Sequence, residues 1–182
     1  QSRKRLILVG SLLGDDLDIA DGVKYKVTVR KVIGKLEKPE ISEDPLHKNL
    51  AKHTTKVVER IKMTPHNGGS WKDLPEEYHL ECHKKENVGF NDVYGRLRWD
   101  DFSSTITGGC LNPSKGRFLH PEEDRVLTPR EAALLQSFPK NYKFPMDIPK
   151  ASLALLIGNA LPPKFSYIQS KNIKKHIEEK LG

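Results

Sequence analysis

Cysteine is scarce in this chain. Its 182 residues include only Cys82 and Cys110, in no Cys-x-x-Cys pattern. That spacing offers neither a zinc site nor a disulfide framework. His47, His53, His66, His79 and His83 form no metal-ligand spacing either, so no metal is expected. No apolar run approaches the roughly 18 residues that cross a bilayer, which excludes a membrane span from the reading. Two thiols without a secretory signal fit a reducing cytoplasm. Internal repeats and low-complexity tracts are lacking too, which excludes solenoids and arrays.

What is present suits a globular protein. Hydrophobic residues make up 36% of the chain and charged residues 30%, enough to bury a core. The length suits one domain, or one domain and part of another. A net charge of +7 and a pI near 9.3 favour a polyanionic partner, most commonly nucleic acid. Solvated surface charge is the plainer alternative.

Along the chain, Arg5 to Val9 reads as a short buried strand closed by Gly10 and Gly14. The first residue is Gln, and it runs straight into this apolar stretch, as at a cut edge. Val32 to Leu36 suits a short helix before Pro39, and Lys48 to Met63 suits another. Thr64 to Ser70 has loop chemistry. Val93 to Ile106 alternates irregularly and is expected to supply short strands. From Pro129 to Ser137 a helix is well specified: Thr128 caps it, Pro129 opens it, and Glu131 completes a capping box. Phe138-Pro139 ends it. A last helix is expected from Pro162-Pro163 to about Lys180, with Phe165, Ile168, Ile173, Ile177 and Leu181 as its apolar stripe.

Four groups of residues could carry chemistry. Arg3 and Arg5 alternate, so on a strand both point to one face, where they need anions or acceptors. The alternative is a solvated cluster. Gly158-Asn159 precedes the last helix, where glycine permits close approach and helix N–H groups are free. The alternative is an ordinary turn. Arg96, Arg98, Lys115 and Arg117 stand among Tyr94, Trp99 and Phe118 and could neutralise phosphates. Core packing is at least as good an account of the aromatics. Arg125, Thr128, Arg130 and Glu131 read as structural.

Taken in order, these blocks resemble DNA (cytosine-5) methyltransferases. They are Gln1-Ser2-Arg3-Lys4-Arg5, Asp92 to Trp99 with Ser104-Thr105-Ile106-Thr107, Arg125 to Pro139, and Ile157-Gly158-Asn159-Ala160-Leu161-Pro162-Pro163. The match is to the C-terminal portion of a bacterial member. It implies an incomplete mixed α/β (α+β) fold: the edge of the catalytic-domain sheet with its C-terminal helix, plus an irregular target-recognition domain. The expected divisions are 1–36 for the end of the catalytic domain and 37–140 for target recognition. A hinge follows at 141–156, then the cofactor-side loop and returning helix at 157–182.

The resemblance also implies roles. Arg5 would reach a flipped cytosine, with Arg3 ordering its pocket. Thr105, with Ile106, would lie against the DNA backbone there. Gly158, Asn159 and Ala160 would line the S-adenosylmethionine site, although the family's usual Gln two residues before the glycine is Leu156 here. The implied partners are double-stranded DNA and an N-terminal catalytic half. Neither cysteine follows a proline, as the family's nucleophile does, and the Phe-x-Gly-x-Gly cofactor loop is missing. Glu86-Asn87-Val88 copies the family's catalytic glutamate block but falls in the variable region, so Glu86 receives no role. The chain is therefore expected to be inactive alone. It would be the DNA-reading part of a single-chain enzyme, a separate recognition subunit, or, on the blandest reading, a basic domain unrelated to DNA.

Overall fold

The computed structural model describes residues 6–14, 17–22, 25–84, 89 and 91–181. Six α-helices and four single-turn 3-10 helices carry the described residues, with only two isolated β-bridges between extended segments. α1 (Val29–Ile33) is capped by Thr28, which accepts from the Lys31 N–H, and buries Val29 and Ile33 one turn apart. α2 (Pro45–Lys48) has Asp44 as cap and proline at its first position. α3 (Thr55–Met63) buries Ile61 and turns its charges outward.

α4 (Pro129–Leu135) forms where expected, two residues shorter, with both arms of its capping box made. It lies at the centre of the molecule and packs against α1, α2 and α5 (Lys150–Asn159). Around it the core gathers Leu97, Ile106, Phe118, Leu119, Leu127, Ala132 and Ile157. α6 (Pro163–Leu181) starts at the expected prolines and runs for 19 residues with none buried.

Several expectations need correction. Leu6 to Val9 forms no strand: Leu6 and Leu8 are 88% and 86% exposed. An extended segment with no neighbour has nothing to pair its backbone groups with, and a strand needs that ladder. Val93 to Ile106 also forms no named strand. Tyr94 takes a left-handed φ of 51°, and the following backbone groups bond to scattered partners. Among these, Asn67 Oδ1 accepts from Trp99 N–H, and the Trp99 carbonyl accepts from Arg30 N–H. Only single bridges remain, Arg96 to Leu119 and Leu119 to Val126.

The stretch 141–156, expected as a hinge, holds the first part of α5, whose apolar Ala- and Leu-rich run buries Leu153, Ala154 and Ile157. Gly158 and Asn159 accordingly close one helix as well as preceding the next. Ser11, Asp18 and Ala20 lie beside α6. Gln169 both donates to and accepts from the Ala20 backbone, like a strand neighbour, and Ser11 pairs with His176 at 2.9 Å.

Candidate functional site

The α4 N-terminus is tied down by charge. Arg125 meets Glu131 with two parallel hydrogen bonds of 2.7 and 2.8 Å, and Glu131 accepts from the Thr128 N–H. Burial pushes the Glu131 carboxyl up, but the hydrogen bonds and charge of Arg125 outweigh it and hold the group ionised. The Thr128 hydroxyl also pairs with His47 Nδ1 at 2.8 Å, while His47 Nε2 donates to the Glu37 carbonyl. Arg130 grips Asp44 with two donors and gives a third hydrogen bond to the Tyr142 carbonyl. α4 thus binds α2, the 123–128 turn and the 140s loop into one body.

Of the four cations expected on phosphates, the structure removes two. Arg96 is fully buried, and all five of its N–H donors are spent inside the protein. They go to the carbonyls of Thr64, Ile61, His120 and Glu123 and to the Asp124 carboxylate. A guanidinium held this way has nothing left for DNA. Arg117 is likewise committed: Nη1 donates to the carbonyls of Gly68, Gly69 and Arg96, and Nε donates to Asp92. Arg98 and Lys115 are exposed. Tyr94, Trp99 and Phe118 are core residues, at 2%, 7% and 1% exposure.

The Thr105–Gly109 segment and the Gly158 block meet directly. A Cβ placed on Gly158 would stand 2.0 Å from the Thr107 carbonyl carbon and 2.3 Å from the Gly108 nitrogen. Glycine at 158 is therefore what lets the end of α5 seat on this loop. Ile106 is fully buried beneath it and Thr105 is half-buried. On the other side of the junction Gln136, at 0% exposure, sends its side-chain amide to the carbonyls of Ile157 and Ala160. Asn159 is exposed and Ala160 half-buried at the turn between α5 and α6.

Gln136 was missed by sequence reading. Its type and its place at the end of a helix say nothing about carbonyls more than twenty residues away. Asp44 and His47 escaped notice for the same reason. Arg3 and Arg5 lie outside the described residues, as do Glu86, Asn87 and Val88. Cys110 is buried, and desolvation pushes its thiol up to about 12, which removes it as a nucleophile near neutral pH. Among the described residues no His, Cys, Asp and Glu group is placed to hold a metal ion, and no helix is long and apolar enough to cross a membrane.

The family model for C-5 cytosine-specific DNA methylases matches residues 1–175. The chain belongs to that family. It is 45% identical to the type II methylase M.HgiDII of Herpetosiphon aurantiacus, over 61% of this chain and 32% of that protein. Similarity to the type II methyltransferase M.Eco47II of Escherichia coli runs across the whole chain at 32% identity and covers 44% of that protein. A plant relative, DNA (cytosine-5)-methyltransferase 3 of Arabidopsis thaliana, is 30% identical over 82% of this chain. The chain spans less than half the length of each of these relatives.

Proposed function

We propose that this chain is the DNA-recognition part of a DNA (cytosine-5) methyltransferase, presenting a flipped cytosine of duplex DNA for methylation at carbon 5. The observation that carries this reading is the seating of Gly158 on the Thr107–Gly108 backbone. It brings the loop assigned to the DNA backbone against the turn assigned to the cofactor. In a reaction that joins a base to a methyl donor, those two walls must be neighbours.

Thr105, beside the buried Ile106, positions the backbone of the flipped nucleotide, with Arg98 and Lys115 as exposed phosphate ligands. Arg96, Arg117, Arg125, Arg130 and Gln136 hold that surface rigid and touch neither substrate. Asn159 offers both an amide donor and an acceptor at the α5–α6 turn, a donor set that suits the amino-acid end of S-adenosylmethionine. Bound there, that cofactor supplies the methyl group. Arg5 reaches the extruded base, and Arg3 orders the pocket around it. The attacking cysteine and the assisting glutamate come from outside these 182 residues. Exposed Leu6, Leu8 and Leu12, and exposed Ile173, Ile177 and Leu181 of α6, are the apolar residues that meet the catalytic half.

Methyl-transfer kinetics test this division of labour. In the protein that carries this chain, Asn159→Ala raises the S-adenosylmethionine KM while leaving the duplex Kd unchanged. Arg5→Ala lowers turnover much more than duplex affinity. If Asn159→Ala weakens the duplex and spares the cofactor KM, the site assignment is wrong. Equal losses for Arg5→Ala make it a phosphate contact.

A further inference from the structure

One concave surface carries positive charge without compensation. It is a cleft of about 630 Å³ whose wall includes Lys52, His53, Lys115 and Lys150 and no aspartate or glutamate. Elsewhere several buried guanidinium groups meet carboxylates, as in Arg96–Asp124, Arg125–Glu131 and Arg130–Asp44. Among the described residues no salt bridge reaches the three cleft lysines.

Two of these lysines are held by the backbone around them. Lys150, the first residue of α5, donates from Nζ to the Leu50 carbonyl. Lys115 ends the 3-10 turn Pro113–Lys115, whose cap Asn112 accepts from the Ser114 N–H at 2.9 Å. Its stem lies across Gly109, where a Cβ would come within 2.7 Å of the Lys115 Cβ. His53 Nε2 is buried without a hydrogen-bond partner. Burial, and then the Lys52 charge, lowers the Lys150 ammonium; burial, and then Lys150, lowers the His53 imidazole. The groups repel one another, and a buried nitrogen without a partner is destabilising. An anion seated among them reverses both effects.

We propose that this cleft binds a backbone phosphate of the duplex, with Lys52, Lys115 and Lys150 as cationic contacts and the Nε2–H tautomer of His53 as a hydrogen-bond donor. The proposal rests on the DNA reading above and adds Lys52, His53 and Lys150 to it. Continuity favours a strand of DNA over a free anion. Gly108 and Gly109 line the cleft and follow directly on Thr105–Thr107, the segment assigned to the nucleic-acid backbone.

Duplex binding by the full chain tests it, as fluorescence anisotropy with a labelled cytosine-containing duplex across a salt series. The double variant Lys52→Ala/Lys150→Ala is compared with Lys174→Ala/Lys175→Ala on α6, which removes the same charge from exposed pairs with Glu178 and Glu179. The cleft variant is expected to bind about tenfold or more weakly at low salt. Its log–log salt slope flattens by about one to two, because phosphate contacts are lost. The α6 variant keeps the wild-type affinity and slope.

Cleft and α6 variants that behave alike overturn the proposal and leave the DNA reading standing. A wild type that binds no duplex overturns both. Inorganic phosphate that occupies the cleft by ³¹P shifts, with duplex affinity untouched by the cleft substitutions, makes it a free-anion site and also overturns the proposal. If the double variant melts early, Lys150→Arg against Lys150→Gln decides: affinity kept by the first and lost by the second supports the cleft, and equal affinities sink it.

Discussion

Arginine at position 96 shows why a charged side chain cannot be assigned from its neighbours in sequence. The run Arg96-Leu97-Arg98-Trp99 alternates, yet Arg96 is buried and Arg98 is exposed. The acceptors that draw Arg96 inward are carbonyls of distant segments, and no local pattern records them. Removing that side chain takes hydrogen bonds from four carbonyls and from the Asp124 carboxylate. Arg96→Ala is therefore expected to cost about 3–5 kcal/mol, the range for breaking a buried charged network. Chemical denaturation with an unchanged m-value checks it. Gly158 behaves differently, because its role was readable as close approach although its neighbour was not. A methyl group there collides with main chain, and Gly158→Ala is expected to cost about 1–3 kcal/mol. Calorimetry should show a Tm lower by roughly 2–12 °C.

The elements most legible in sequence are those whose signals are local. α4 and α6 start where a cap or a proline says they do, because φ restriction and orphan N–H groups act within one turn. The extended segments were not legible, since pairing depends on neighbours far along the chain. α5 was passed over because Lys150–Asn159 is apolar on most sides, which leaves no stripe to read. Thr128→Ala removes the α4 cap and a partner of His47 together, so about 1–2 kcal/mol is expected in urea unfolding.

The charge network around α4 also sets the acid response. Asp44, Glu123 and Glu131 are each raised by burial, but hydrogen bonds and neighbouring charge, chiefly arginine, together bring them below the ordinary carboxyl value. Carboxyls lowered on folding stabilise above their unfolded values, about 3.9–4.3, and that stability drains as pH falls through the folded values. His53, His83 and His120 are lowered chiefly by burial. Their contribution is complete above about pH 6.5 and is lost below it. Tm is therefore expected to hold at neutral pH, decline as pH drops below about 6.5, and fall further below about 4. A Tm that rises between pH 7 and 5 would contradict this.

At the scale of the whole molecule, the exposed apolar surface fits the proposed contact with a catalytic half. The leucines near the chain start and the far half of α6 are exposed, although the sequence marks them as buried. The pattern was right about which residues are apolar, but the described fold leaves them open to solvent. Covalent trapping on duplex DNA whose target cytosine is 5-fluorocytosine puts the central claim to its most direct test. With S-adenosylmethionine present, the chain alone should form no adduct. Adding a polypeptide that carries the family's Pro-Cys block should produce one, attached to that added polypeptide. An adduct on the chain by itself would contradict the account, because the attacking group would then lie within this sequence.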